Sequence, residues 1–353
     1  IVLIGGTTCF FAATVGMVQP DIKRTIAYST CSQLGYMFVA IGVGAYQAGV
    51  FHLTTHAFFK ALLFLAAGSV IHAVHDEQDM FKMGGLWKKI PLTYAVMWIG
   101  SLALAGVFPF AGYWSKDAIL NAAWVSGSGF GHYGWIMGTV TAFITAFYSW
   151  RLIFLVFHGK PREQHLYDGA HESPPVMTAP LVLLSLGAIF AGVAFAPFYI
   201  GHYQAAFWGG SIFNGPGNSI MERLEDVPSM IAFAPSVAGL LGILVAWVAY
   251  ISSPALPASL AKSFRPLYLF LLNKWYFDEL YDVIFVRPYQ AIARFLWRNV
   301  DEDVIEKMPM GAARLTFQSA IQAARTQTGS IAVYAFTTLI GLVLLISTIV
   351  FLG

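Results

Sequence analysis

The sequence predicts an all-α membrane protein with about eight transmembrane helices, one of them broken, and a long amphipathic lateral helix. Three observations support this prediction. Charged residues make up 11% of the 353 residues and hydrophobic residues 58%, whereas about a quarter of the residues in soluble domains are charged. Apolar runs of about 20 residues, the length that crosses a bilayer, recur along the chain. Residues 254–328 are instead rich in aromatic side chains that alternate with charges, as in a helix that lies at a membrane surface.

Hydropathy and helix-breaking residues divide the chain into eight predicted spans. They cover residues 1–18, 26–44, 49–74, 91–124, 133–157, 177–196, 230–251 and 331–352. Pro91 suits the first turn of the fourth span. This span is too long for one straight crossing, and Pro109 and Gly112 interrupt it. We therefore predict a broken helix there.

Basic residues are distributed unequally between the two sides of the predicted membrane. Loops after the first, third and fifth spans carry seven Lys or Arg residues, and the segment after the seventh span carries nine more, whereas the opposite loops carry only Arg223. The positive-inside rule then places the basic side in the cytoplasm and both Ile1 and Gly353 on the outer side. We expect Arg151, near the cytoplasmic end of the fifth span, to extend its guanidinium towards the membrane surface.

Several classes of site are not indicated by the sequence. Cys9 and Cys31 lie in apolar runs without metal-ligand spacing, so packed thiols are the better interpretation. The acidic stretch 76–79 lacks a calcium-loop pattern and reads as a solvated loop. The net charge of +2 says little about partners. We expect no cofactor or metal in this chain and no nucleic-acid partner. Ile1 opens directly into an apolar run without a basic leader, so we expect the chain to begin inside a longer protein.

The third span carries three titratable side chains in one row. His52, His56 and Lys60 are each four residues apart, so they lie on one helix face over about 12 Å. A charge at membrane depth costs at least about 2.5–3.5 kcal/mol on insertion scales and is by default a sign of function. Imidazoles titrate near neutral pH, and a buried lysine can store and release a proton. The row therefore predicts a proton path.

Polar residues on neighbouring positions can hold water for such a path. They are Ser29, Thr30, Ser32, Gln33, Thr54 and Thr55. The same residues could equally join helices by hydrogen bonds within the membrane. Spacing alone does not choose between the two roles.

The broken fourth span carries a second candidate site. Ser115, Lys116 and Asp117 follow the interruption at Pro109 and Gly112, and Asp117 is the only carboxylate that we place at membrane depth. Broken helices in transporters place ionisable side chains near the midplane. The alternative is an exposed Lys116–Asp117 ion pair at the outer surface, because a break alone fixes no depth.

The segment 254–328 is predicted to be an amphipathic region, in which Phe264–Asn299 forms a lateral strap on the cytoplasmic side. If it is mostly helical, it extends roughly 100 Å, and Pro288 and Pro309 should bend or break it. Its aromatic face would bury against neighbouring membrane subunits, and the last span would anchor its far end. It has no buried titratable row, so we do not expect it to carry protons. A folded cytoplasmic linker domain is the alternative, disfavoured by the scarcity of glycine between Phe264 and Met308.

Three stretches resemble a known family. Residues 19–86, which include GVFHLTTHAFFKALLFLAAGSVIH at 49–72, resemble the antiporter-like subunits of respiratory complex I. The large subunits of multi-subunit sodium/proton antiporters are their relatives. FAGYWSKDAIL at 110–120 and NKWYFDELYDVIFVRP at 273–288 are similar to the second broken helix and the lateral helix of the most distal of these subunits.

The resemblance implies a domain plan. It assigns residues 1–157 to the second of two inverted five-helix repeats, 158–253 to two further transmembrane helices, 254–329 to the lateral helix region and 330–353 to a carboxyl-terminal anchor. The first repeat would be absent, so the chain would be the carboxyl-terminal half of such a subunit. His52, His56 and Lys60 match the family's central hydrophilic axis, Lys116 the broken-helix lysine near the outward exit, and Asp117 its adjacent carboxylate.

The resemblance also implies a function. It indicates a proton-translocating, non-redox subunit of NADH:quinone oxidoreductase in a bacterial inner membrane, with a mitochondrial inner membrane as the alternative. FMN, iron–sulfur clusters and quinone would belong to other parts of the complex, and the partners would be neighbouring membrane subunits and the lipid bilayer. The alternative functions are the large subunit of a cation/proton antiporter and a purely structural subunit that clamps its neighbours.

Overall fold

A computed structural model describes residues 1–352, and for Leu352 the backbone only. The chain divides into two compact units, Ile1–Trp275 and Tyr276–Gly353. The described residues are helical apart from their connections, and the extended pairing among them is one isolated bridge between Asp21 and Asp79. The first unit is a helix bundle, and the second holds the long amphipathic helix and the last apolar helix.

The bundle is built from long apolar helices in chain order. They are α1 (Val2–Val18), α2 (Ile22–Val43), α3 (Tyr46–Ala73), α4 (Pro91–Ala105), α5 (Ala111–Val125) and α6 (Gly129–Phe157). Two short helices, α7 (Gln164–Gly169) and α9 (Gln204–Trp208), flank α8 (Pro175–Tyr199), and α10 (Ser229–Trp247) continues to Ser252 as a π turn. Then α11 (Leu256–Ser263) and α12 (Arg265–Leu272) follow.

These helices confirm the predicted fold class. Six helices of the described chain are long and apolar enough to cross a membrane, and α1 and α4 are shorter apolar helices. Several helices begin earlier than hydropathy predicts, because polar residues form their first turns. For example, α2 begins at Ile22 rather than residue 26, where the side chain of Asp21 accepts a hydrogen bond from the backbone nitrogen of Arg24.

Helix α3 lies at the centre of the bundle. It packs against α2, α4, α5 and α8, while α1 packs on α2 and α6, and α6 packs on α10. The approach of α1 to α2 requires glycine, since a Cβ at Gly35 would lie 2.6 Å from the nitrogen of Cys9. This close packing brings polar positions of α2 and α5 against the titratable face of α3.

The predicted broken helix is two helices joined by a short turn. Helix α4 ends at Gly106, whose φ of 77° is in the left-handed region that suits glycine. After a cis Phe108–Pro109 bond, α5 starts at Ala111. Gly112 lies against the carbonyl of Ala103, where a side chain would clash. The residues on either side of the turn, Ala103–Gly106 and Gly112, are therefore buried in the bundle, whereas Phe108 and Pro109 in the turn itself are exposed.

We predicted that Arg151 extends its guanidinium towards the membrane surface, and this prediction is wrong. Arg151 is 2% exposed, and its Nη1 donates to the carbonyl of Gln19 at 2.8 Å while its Nε donates to the hydroxyl of Tyr250 at 3.1 Å. Gln19 is the residue that ends α1, so the guanidinium occupies the carbonyl end of that helix, where a cation is favoured. The guanidinium therefore bonds to a carbonyl that is close in space but 132 positions away in the chain, instead of reaching the membrane surface.

The lateral helix is confirmed as an element, but it begins later than predicted. Lys274, Trp275 and Tyr276 all have positive φ. The continuous helix then runs over residues 277–325, through α13 (Phe277–Tyr281), α14 (Arg287–Leu296) and α15 (Lys307–Arg325) with π turns between them. At about 1.5 Å per residue it is about 70 Å long. The last helix, α16 (Ile331–Leu352), is mostly apolar and has no charged residue.

Pro288 and Pro309 do not break this helix, so that part of our prediction is wrong. π turns span Asp282–Val286 and Trp297–Glu306. The carbonyl four residues before each proline therefore lies within a wider turn. That width gives the ring room where an α-helical carbonyl would clash with it.

Candidate functional site

The three titratable side chains of α3 all face the interior of the bundle. His52 is 0% exposed, His56 6% and Lys60 5%. Their spacing of four residues puts them on one face, and α2 and α5 cover that face. The predicted row therefore exists as a buried arrangement, lined by polar side chains from two other helices.

Lys60 is held by α2. Its Nζ donates to the hydroxyl of Ser29 in a short contact and lies 3.4 Å from the carbonyl of Ile26. Both acceptors are neutral, so they solvate the ammonium without cancelling its charge. A buried charge with only neutral partners is costly, and such positions in membrane proteins usually serve function.

His52 joins the helices on both sides of α3. Its Nε2 lies 3.1 Å from Oε1 of Gln33 on α2, and its Nδ1 lies 2.8 Å from the hydroxyl of Ser115 on α5. Thr55, one turn along α3, shares a 2.7 Å hydrogen bond with the same hydroxyl. Both ring nitrogens are therefore in hydrogen bonds, and the imidazole can take a proton on one side and release one on the other.

His56 lies between His52 and Lys60 and is the least satisfied of the three. Its ring centroid is 6.0 Å from that of His52 and 5.3 Å from that of Phe59. Its Nε2 is buried without a hydrogen-bond partner. Buried polar atoms are nearly always paired, so this nitrogen marks a polar gap in the row.

Lys116 lies on the far side of His52, one residue after Ser115. It is 2% exposed, and its Nζ donates to the carbonyl of Leu104 at 2.6 Å. Leu104 is in the last turn of α4, where the break leaves carbonyls without helical partners. The ring of Tyr36 lies beneath the ammonium, 5.4 Å from centroid to nitrogen. The break thus creates the acceptor that holds the lysine.

Lys116 and Asp117 do not form the exposed ion pair that was the alternative. The lysine points into the bundle, and Asp117, the next residue on α5, is partly buried beside Tyr113. Adjacent helical positions point about 100° apart. The structure therefore brings Lys60, His56, His52 and Lys116 together and leaves Asp117 on a different face of α5.

Some contacts of the site were not predicted from the sequence. Ser115, which follows the break together with Lys116 and Asp117, links His52 and Thr55 to α5, yet no spacing relates it to α3. Tyr36 contacts Lys116 and donates to the carbonyl of Gly138 at 2.5 Å. Of the predicted polar companions, Ser29, Gln33 and Thr55 contact the row, whereas Ser32 donates to the carbonyl of Cys9.

No cluster of three or more His, Cys, Asp or Glu residues in the described part of the chain has the geometry of a metal site. Of the two predicted packed thiols, Cys9 is buried and Cys31 is exposed. The second prediction is wrong because Cys31 lies on a face of α2 that the bundle leaves uncovered.

Comparison with known proteins gives consistent matches. The family model described as NADH:quinone oxidoreductase/Mrp antiporter, TM, matches residues 1–145. The NADH-quinone oxidoreductase subunit L of Rhodobacter capsulatus is 42% identical over 422 residues, which cover 100% of this chain and 59% of that protein. Subunit L of Rickettsia bellii is 45% identical, with 100% and 54% covered. NADH-ubiquinone oxidoreductase chain 5 of Marchantia polymorpha is 42% identical, with 99% and 53% covered.

The chain thus spans 53–59% of the length of these three relatives. Among solved structures, a chain of the Mrp complex from Dietzia sp. DQ12-45-1b superposes with a TM-score of 0.57 at 21% identity. The match covers 99% of this chain and 33% of that one. At that identity the likeness extends to the fold alone.

Proposed function

This chain belongs to the family of NADH-quinone oxidoreductase subunit L, and on this premise we propose that it translocates protons along the buried row from Lys60 to Lys116. It is a multi-pass protein of the inner membrane, as predicted. The observation that carries the proposal is the burial of four titratable side chains, Lys60, His56, His52 and Lys116, in one bundle. Direct contacts join part of this row, since Lys60 bonds to Ser29, His52 bonds to Ser115, and the rings of His52 and His56 are 6.0 Å apart.

A proton would move between Lys60 and Lys116 in short steps. His52 contacts Ser115 directly, and Ser115 is adjacent to Lys116 on α5. The step past His56 is wider, because the two imidazole centroids are 6.0 Å apart and Nε2 of His56 is unpaired. One water is sufficient to bridge such a gap when polar atoms lie on both sides. Two like charges in a low-dielectric interior repel, so a proton arriving at one lysine favours departure from the other.

The driving reaction would lie outside this chain. We place FMN, iron–sulfur clusters and quinone in other parts of the complex, and we assign this subunit a non-redox role as a translocase. Its partners would be neighbouring membrane subunits. The alternative of an antiporter subunit without redox coupling predicts a complex that purifies without flavin and iron–sulfur proteins.

The deciding experiment is Lys60→Ala in the whole complex. A positioned proton carrier contributes about a hundredfold or more, so we expect proton pumping and coupled NADH:quinone turnover to fall at least about tenfold with assembly intact. Lys23→Ala is the matched control, since Lys23 is exposed at the start of α2. Pumping should be measured in reconstituted vesicles and assembly on native gels. Wild-type pumping by Lys60→Ala in an intact complex would overturn the proposal.

A further inference from the structure

A cavity of about 700 Å³ lies at one end of the bundle in the first unit. Its walls come from the carboxyl ends of α1, α6 and α10 and from α11 and α12. Most of the lining is apolar, as at Met17, Phe147 and Leu267. The helix ends place the cavity at the level where a membrane helix meets the surface, on the basic side of the predicted topology.

Two guanidinium groups line this otherwise apolar cavity. Arg151 is 2% exposed and bonds to the carbonyl of Gln19 and the hydroxyl of Tyr250. The Nη1 of Arg162 donates to the carbonyls of Met83 at 2.5 Å and Leu155 at 2.8 Å. These partners are all neutral. Neither arginine makes an ion pair within 4.0 Å among the described ion pairs.

The cavity is therefore lined by one buried guanidinium, Arg151, and one exposed guanidinium, Arg162, and neither has an acidic partner among the described ion pairs. Guanidinium groups bind phosphate oxygens through paired N–H donors. The long apolar wall contributed by α11 and α12 adds surface that a free phosphate ion would leave uncovered. An occupant that satisfies both parts of the lining carries an anionic head and hydrocarbon chains.

We infer that this cavity binds an anionic phospholipid of the membrane, with its phosphate on Arg151 and Arg162 and its acyl chains along α11 and α12. Anionic lipids are attracted to basic surfaces at the cytoplasmic leaflet. The lipid would fix α11 and α12 onto the bundle by filling the space between them. This inference does not depend on the proton path, because none of the row residues lines the cavity.

The test uses the intact complex in phosphatidylcholine vesicles that contain one-fifth phosphatidylglycerol. A photoactivatable acyl chain is placed on either lipid, and the labelled peptides are mapped by mass spectrometry. We expect the phosphatidylglycerol probe to label α11 or α12 and the phosphatidylcholine probe to label them much less. Arg162→Gln removes a charge-assisted contact and should lower the labelling about tenfold.

A second variant keeps both charges and removes the space. Ala261 lines the cavity, and Ser259 on the same helix does not. Ala261→Phe should therefore lower labelling like Arg162→Gln, while the matched control Ser259→Phe leaves it unchanged. Equal labelling by both lipids, or labelling that survives both Arg162→Gln and Ala261→Phe, would overturn the inference. Loss of labelling on addition of inorganic phosphate would assign the site to a free anion, and a crosslink to another protein segment would assign it to that segment.

Discussion

The bundle and the lateral helix use basic residues in opposite ways. In the bundle, Lys60 and Lys116 are buried, and both bond to neutral oxygens on other helices. In the lateral helix, Lys307 is exposed and pairs with Asp303 four residues earlier. Arg287 is likewise exposed and pairs with Asp282 at 2.6 Å.

This difference distinguishes buried charges that can take part in proton transfer from exposed charges that only pair within a helix. An exposed local pair contributes little to stability and nothing over distance. A buried ammonium with neutral acceptors costs free energy and can change its protonation state when its surroundings change. We therefore expect substitutions in the bundle to affect pumping, and those in the lateral helix to affect assembly or nothing.

Removing the lateral helix should have the largest effect. A chain that ends after Trp275 retains the whole first unit but loses every exposed apolar side chain of residues 277–325. Each such side chain buried against a neighbour is worth roughly 1.5–3 kcal/mol. We expect the truncated subunit to be released from the complex, or the complex to shrink, on native gels.

An insertion after Val286 tests whether the lateral helix also transmits motion. If the helix only clamps subunits, the insertion lowers native-gel mass and the proton-to-electron ratio together. An intact mass with a reduced ratio would show that the lateral helix couples the subunits mechanically, so that its role would not be confined to assembly.

Lys116→Met should abolish most pumping while sparing the fold. The variant keeps an unbranched apolar side chain but loses the ammonium that caps Leu104. Replacing a buried charge by an apolar group of similar volume is often neutral for stability, so we expect a change within about 2 kcal/mol. Pumping should fall at least about tenfold. Normal pumping, or loss of the assembled complex, would show that Lys116 has a structural role and not a role in proton transfer.

The two histidines should differ in the order that their hydrogen bonds indicate. Spacing alone predicts the smaller effect at His52, because it lies one turn further from Lys60. In the structure, however, His52 bonds to both α2 and α5, whereas Nε2 of His56 has no partner. We expect His52→Gln to lower pumping about tenfold and His56→Gln about threefold, since water can substitute for it. The reverse order in initial pumping rates would favour the spacing argument.

The smallest effect is expected at the exposed pair of the lateral helix. Asp303 raises the pKa of Lys307 above its ordinary value of 10.5. The pair is therefore intact near neutral pH, and its contribution is lost as the pH rises through the raised pKa of Lys307. Asp303→Asn should leave both pumping and thermal stability unchanged near neutral pH. A pumping defect in an assembled Asp303→Asn complex would contradict the separation of roles.

The sequence was sufficient for features that are local. Apolar runs predicted the spans, and the four-residue spacing predicted that His52, His56 and Lys60 share a face. It was insufficient where the partner is distant in the chain. Arg151 was expected to reach the surface because it lies near the end of its span, and this prediction failed because its partner carbonyl at Gln19 is 132 positions away. Ser115 gained its role only through the packing of α5 on α3.

The prolines of the lateral helix show a different limit. Residue preferences describe an α-helix, in which Pro288 and Pro309 would be disruptive. Wider turns before each proline accommodate them, and no simple composition signal announces such turns.

The position of Lys116 links its protonation state to the geometry of the turn between α4 and α5. Its ammonium closes the carbonyl end of α4 across the turn at Gly106. A charged amine bonds to that carbonyl more strongly than a neutral amine does. The geometry of the turn between α4 and α5 and the protonation of Lys116 are therefore thermodynamically linked. The linkage is reciprocal. A movement that separates α4 from Lys116 would change the proton affinity of the amine, and loss of the proton would weaken the contact between the amine and α4.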